Sequence, residues 1–201
     1  MREQLAGNPL DVLARWVDEA RAADLPMPST MTFATADADG VPHARTVLVT
    51  TVDACSLRFH SSTPTTKTQD LAANPHASAV FHWPALGRQV VLQGRAGELD
   101  GETSSAAYPD RPRQLQLVAW VYEALLPRLG PDRAVEPGAV EREFDAAAGD
   151  PRSARRPPSW TTVRLVPHRA DFWQAGTETS PPGKTRFERD GDGWRSFPVL
   201  P

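Results

Sequence analysis

The chain has 201 residues, 40% of them hydrophobic and 23% charged, which suits one globular domain able to bury a core of its own. A net charge of −3 leaves no basic field for nucleic acid or an anionic membrane. One cysteine, Cys55, excludes an internal disulfide and a cysteine-based zinc site.

No apolar run reaches membrane-spanning length, and the first residues read as amphipathic and charged, so a soluble, cytoplasmic protein is expected. Residues 8–24 carry Leu10, Leu13, Trp16, Val17 and Ala20 at helical spacing, with Asn8-Pro9 as cap and first turn. Pro26 and Pro28 end that helix. The period then changes to that of strands. Strands are predicted at Met31–Ala36, Pro42–Val52 and Leu57–Ser61, with a turn at Asp37-Ala-Asp-Gly40.

Ser61 to Pro75 follows. Thr63 reads as an N-cap, Pro64 as the first helical residue, and Asn74-Pro75 as the stop. Ser61, Ser62, Thr65, Thr66 and Lys67 surround the helix start, where unpaired N–H groups and the dipole favour an anion. Two readings stand at this point: a phosphate cradle, or a surface helix with a polar cap.

Strands are predicted next at Ala77–Trp83 and Arg88–Leu99, with Gly94 and Gly97 marking bulges or close backbone approach. Helices are predicted at 102–108, capped by Glu102-Thr103, at Gln114–Leu126 and at Val140–Ala148, with loops at 127–138 and 150–158. Strands at Thr161–Pro167, Ala170–Gln174, Lys184–Asp190 and Trp194–Val199 close the chain. The pattern gives a mainly β (α+β) fold: an antiparallel barrel with peripheral helices. The 1–201 stretch reads as a single domain, with 1–28 a helical extension and 102–158 a helical insertion and loop.

The five histidines form no metal-ligand pair, so no metal is expected. There is no G-x-S-x-G elbow and no G-x-G-x-x-G after a strand. Polar residues do open apolar strands: Arg45 before Val47-Leu48-Val49, Arg88-Gln89 before Val90-Val91-Leu92, and Trp173-Gln174 after Phe172. Either they face solvent, or they line an interior suited to a flat, polar, anionic ligand.

The order of these motifs resembles the pyridoxamine 5′-phosphate oxidase family. It runs Arg45-Thr-Val-Leu-Val-Thr50, Phe59-His-Ser61, Lys67, Asn74-Pro75, Arg88-Gln-Val-Val-Leu-Gln-Gly94, Arg111-Pro-Arg113 and Phe172-Trp-Gln174. The resemblance implies a split β-barrel homodimer with FMN at the subunit interface. It assigns FMN to Arg45, Thr46, Val47, Leu48, Thr50, His60, Ser61, Thr66, Lys67, Gln89, Trp173 and Lys184. Thr66 stands where the family has Arg, and Lys184 replaces another Arg, keeping the charge without the fork. Arg45 and Lys67 remain as the phosphate clamp.

The substrate side departs further. Thr50 stands for the family's lysine, Ala107 for its tyrosine, Leu115 for its serine, and Thr179-Ser-Pro-Pro182 for its Arg-x-His segment. Of the residues that grip pyridoxal phosphate, Arg111 remains. Losing charged partners removes roughly 1.5–3 kcal/mol for each such hydrogen bond. The expected function is therefore an FMN-dependent oxidase of a small cyclic or aromatic, less anionic molecule, with O2 as acceptor, in phenazine-type or other specialised metabolism. Arg111, Arg113, Tyr108 and His60 are its candidate substrate residues. The alternatives are an authentic pyridoxine/pyridoxamine 5′-phosphate oxidase and a non-catalytic flavin- or ligand-binding protein.

Overall fold

The computed structural model describes residues 3–130 and 132–201. Eight strands form one sheet in the order β3-β2-β1-β4-β5-β6-β7-β8, and a further β3–β6 pairing closes six of them into an antiparallel barrel. The strands are β1 (Thr30–Ala36), β2 (Pro42–Val52), β3 (Leu57–Ser62), β4 (His76–Trp83), β5 (Arg88–Glu98), β6 (Trp160–Gln174), β7 (Gly183–Asp190) and β8 (Gly193–Val199). The helices are α1 (Pro9–Ala22), α2 (Thr66–Ala73), α3 (Gly101–Ala107), α4 (Arg113–Leu125) and α5 (Ala139–Gly149). The chain falls into two compact units, residues 1–59, 70–97 and 164–201 in the first and residues 60–69 and 98–163 in the second. Among the described residues, no helix is long and apolar enough to cross a membrane.

In the first unit, α1 buries Leu10, Leu13, Trp16, Val17 and Ala20. These are the positions its 3.6-residue period places on one face. Trp16 meets Phe172 edge to face at 5.1 Å, and Phe33 meets Phe59 at 4.9 Å. Asn8 caps α1 by accepting the Leu10 N–H at 3.0 Å, while its amide donates to the Ala54 carbonyl at 2.7 Å. Asn8→Ala removes both bonds. A loss of about 1 kcal/mol is expected in chemical unfolding, and Asn8→Asp should restore the cap but not the Ala54 bond.

The predicted strands at 161–167 and 170–174 are one fifteen-residue strand, β6. Pro167 lies within it, where the backbone of β5 comes close. A Cβ built on Gly94 would lie 2.2 Å from the Val166 carbonyl oxygen and 2.7 Å from the Pro167 Cα. Gly94 is thus a close-approach glycine, whereas a Cβ on Gly97 would meet open space. The second unit holds α3, α4 and α5. Asp100, not Glu102-Thr103, caps α3, its carboxylate accepting the Thr103 N–H at 2.7 Å.

Candidate functional site

The second unit contains the segment between β3 and α2. The helix begins at Thr66, two residues later than the sequence suggested. The Thr63–Pro64 peptide is cis, and Pro64 lies outside the helix. Thr65 takes the capping position: its carbonyl accepts the Gln69 N–H at 2.9 Å, and its own N–H donates to the Thr68 Oγ1 at 2.8 Å. Thr63 donates its N–H to the Ser159 carbonyl at 2.7 Å. Lys67 Nζ donates to Ser61 Oγ at 2.9 Å and to Thr65 Oγ1 at 3.2 Å. Ser61 and Thr65 are buried, and Thr66 is half-buried. A lysine held among hydroxyls at a helix N-terminus is a donor set matched to a phosphate.

The same unit gathers three of the four candidate substrate residues around Trp160. The His60 ring packs on it at 4.6 Å with a 30° tilt, the Arg111 guanidinium carbon lies 5.6 Å from its centroid, and Tyr108 meets it edge-on at 5.0 Å. His60 Nδ1 is 3.1 Å from Thr162 Oγ1, and Arg111 Nε donates to the Leu115 carbonyl at 3.1 Å. Tyr108 is buried, its hydroxyl donating toward the Gln116 and Ser153 carbonyls at 3.2 and 3.4 Å. Arg113, exposed, donates to Gln116 Oε1 at 3.4 Å and to Ser153 Oγ. Arg111 forms no ion pair with a carboxylate among the described residues, so the unit keeps a desolvated cation beside aromatic rings.

Burial, then the Arg111 charge, push the His60 imidazole from 6.5 down to about 4. His60 is neutral at physiological pH and serves as a hydrogen-bonding ring. A depressed folded pKa has a definite sign: the unfolded chain takes up the proton first. The stability gained from a neutral His60 is complete above about pH 6.5 and is lost as the pH falls toward 4. His60→Gln should flatten this part of the pH–stability curve. An unchanged slope in denaturant titrations at these pH values would remove His60 from the account.

The first unit holds the other assigned residues. A cavity of about 290 Å³ is lined by His82, Gln89, Val91, Asp171, Trp173, Lys184 and Pro201. Register explains the grouping: His82 pairs with Gln89 across β4 and β5, and Trp173 with Lys184 across β6 and β7. Asp171 accepts two hydrogen bonds from Arg186, at 2.8 and 2.9 Å, and lies 3.5 Å from Lys184 Nζ. Burial alone would raise the Asp171 carboxyl, but hydrogen bonds from Arg186 and Arg169 hold it at about 2.

On β2, Arg45 donates to Thr35 Oγ1 at 2.8 Å and to the Phe33 carbonyl at 3.2 Å, and lies 3.9 Å from buried Asp70. Asp70 also accepts from Thr35 at 2.6 Å and lies 3.0 Å from His43 Nδ1. Burial lowers the Arg45 guanidinium, and the Asp70 charge opposes this. Thr46, Leu48 and Thr50 are exposed and Val47 is half-buried. Thr50 Oγ1 donates to the Arg58 carbonyl at 3.2 Å.

The sequence reading missed Asp70, Asp171, Trp160 and Thr162. Two of the residues assigned to FMN by resemblance also stand out in composition. The chain has 22 basic side chains, of which only Lys67 and Lys184 are lysines. Both fall among the residues assigned to FMN.

The profile described as pyridoxamine 5′-phosphate oxidase matches residues 17–173. A Bordetella avium protein named pyridoxine/pyridoxamine 5′-phosphate oxidase is 40% identical over 195 residues, covering 96% of this chain and 90% of that protein. One of the same name from Paraburkholderia phymatum is 40% identical over 171 residues, covering 83% and 76%. Among solved structures, PhzG from Burkholderia lata in complex with tetrahydrophenazine-1-carboxylic acid superposes with a TM-score of 0.84 at 24% identity, covering 98% of this chain and 94% of that one. A pyridoxamine 5′-phosphate oxidase-related, FMN-binding protein from Nostoc punctiforme gives a TM-score of 0.75 at 18% identity, covering 95% and 96%. These two share the fold.

Proposed function

We propose a function from one premise: the chain belongs to the pyridoxamine 5′-phosphate oxidase family and is an FMN-dependent oxidoreductase of that type. The donor sets suit FMN. Lys67, the Ser61 and Thr65 hydroxyls and the start of α2 suit its phosphate, as does Arg45 in the first unit. Gln89, Trp173 and Lys184 suit a flat polar ring, Gln89 by hydrogen bonding, Trp173 as a wall and Lys184 as a charge. FMN supplies hydride acceptance from a substrate C–H and reoxidation by dioxygen. Thr46, Val47, Leu48, Thr50, His60 and Thr66 complete the assigned set.

The substrate we favour is a small cyclic or aromatic molecule carrying one negative charge, handled in a phenazine-type or other specialised pathway. One observation carries this reading. The second unit offers one desolvated cation, Arg111, on the Trp160 ring beside an uncharged His60. One guanidinium answers one carboxylate, by two parallel hydrogen bonds. Thr50, Ala107 and Leu115 bring no further charge. His60 adds a ring that neither attracts nor repels an anion, and Arg113 is exposed rather than desolvated, with Gln116 and Ser153 as its partners. The bound carboxylic acid of the Burkholderia lata neighbour is of this kind.

A second reading has its own support. The 40%-identical relatives are named for pyridoxine and pyridoxamine 5′-phosphate. Anaerobic mixing of FMN-loaded protein with each candidate separates the two. Bleaching of the flavin absorbance by a dihydro- or tetrahydrophenazine carboxylate, and not by pyridoxamine phosphate, is the expected result. Bleaching by pyridoxamine phosphate would overturn the favoured reading, and reduction by dithionite alone would mean binding without turnover. The exposed face of β2, with Ala44, Thr46, Leu48 and Thr50 uncovered, supports a homodimer, which sedimentation at several concentrations tests.

A further inference from the structure

We propose that Asp171 is the positioning residue for Lys184, fixing its ammonium at the cavity that also presents Trp173 and Gln89. The proposal rests on the reading that this cavity takes the flavin ring. Arg169, Asp171 and Trp173 alternate along β6, and Lys184 and Arg186 alternate along β7, so one face of the β6–β7 ribbon carries all five. Asp171 lies directly opposite Arg186, and Trp173 directly opposite Lys184. Three cations therefore share one carboxylate.

Arg186 takes Asp171 by two parallel bonds at 2.8 and 2.9 Å, and Arg169 approaches it at 3.2 Å. The Oδ2 oxygen then remains within 3.5 Å of Lys184 Nζ. Both arginines hold the carboxylate rather than the cavity, since the cavity is lined by Asp171 and Lys184 but by neither arginine. A lysine has four flexible bonds and no planar fork, so its charge stays in one place only if something holds it. Asp171 is 7% exposed; a carboxylate this buried is a fixed anchor.

The consequence is electrostatic. A fixed ammonium beside a flavin stabilises its reduced, more negative form and so sets its potential. Asp171 holds that charge in place. Losing the carboxylate charge raises the potential in any background, whereas releasing the ammonium lowers it only where Lys184 is present. The shift caused by Asp171→Asn should therefore be more positive in a Lys184→Met background than in the wild type, with FMN binding weakened about fivefold in Asp171→Asn, and Asp171→Glu should return the potential to the wild-type value. An equal shift in both backgrounds overturns the proposal.

Should Asp171→Asn fail to fold, a second measurement uses the wild-type holoprotein. With only two lysines in the chain, lysine-selective 15N labelling gives a Lys184 signal assigned by its loss in Lys184→Met. A motionally restricted ammonium is expected, and a freely rotating chain end refutes the anchor. The two failures are separable. Wild-type protein that takes up no FMN removes the underlying reading, whereas normal FMN uptake with an equal Asp171→Asn shift in both backgrounds removes only the role of Asp171.

Discussion

Lys67→Ala is expected to weaken FMN binding at least about tenfold, read by quenching of flavin fluorescence on titration. By resemblance, Thr66 stands where the family has a neighbouring cation, so the loss is expected to fall on one side chain. Arg45, the other phosphate cation by resemblance, lies 3.9 Å from Asp70 and donates to Thr35 and the Phe33 carbonyl. Part of its charge is answered within the protein. Lys67 donates to the Ser61 and Thr65 hydroxyls at the start of α2, where an anion is favoured. A charge-assisted hydrogen bond contributes about 1.5–3 kcal/mol, which corresponds to roughly 10- to 150-fold in affinity. Lys67→Arg keeps the cation and should retain most of the affinity. Thr66→Arg restores the family's second cation and should tighten binding by a similar factor. An unchanged titration for Lys67→Ala would return this segment to a plain capped helix.

The strands were legible because alternation survives in them. β2 was placed at its observed limits from its run of Thr and Val. Gly94 and Gly97 carried the same reading, a bulge or a close approach, and of the two Gly94 meets a neighbouring backbone while Gly97 does not. The start of α2 was not legible. Thr63-Pro64 and Thr65-Thr66 both carry cap chemistry, and which threonine caps depends on Thr63 N–H reaching the Ser159 carbonyl, 96 positions away. β6 was read as two strands, 161–167 and 170–174, whereas it runs unbroken through His168 and Arg169. The anchors were the least visible. Asp70 gathers Thr35, His43 and Arg45 from two strands, and Asp171 gathers Arg169, Lys184 and Arg186. Each aspartate looks like an ordinary surface charge in sequence. Only pairing register brings the cations to it.

Trp160→Ala should cost about 3–5 kcal/mol in chemical unfolding, the range for deleting a buried tryptophan side chain. Trp160 is 1% exposed and shares a cluster with Tyr108 and Ala119. It is the ring on which His60, Tyr108 and Arg111 converge, so the cavity left behind would open where the substrate reading puts its contacts. Its indole N–H is buried without a hydrogen-bond partner among the described residues. That orphan donor lets the ring's two contributions be separated. Trp160→Phe keeps an aromatic face and removes a donor whose burial costs about 1–3 kcal/mol. The smaller ring loses packing of similar size, so the net change should stay within about 1.5 kcal/mol. His60 gives a second readout. With Trp160→Ala, water reaches the imidazole, and its pKa should climb from about 4 back toward 6.5. With Trp160→Phe it should stay low. NMR titration of the His60 ring distinguishes these outcomes. A Trp160→Ala protein that loses stability but leaves the His60 titration unmoved would mean that the ring supports the core alone. Arg111 would then be what shields His60 from water.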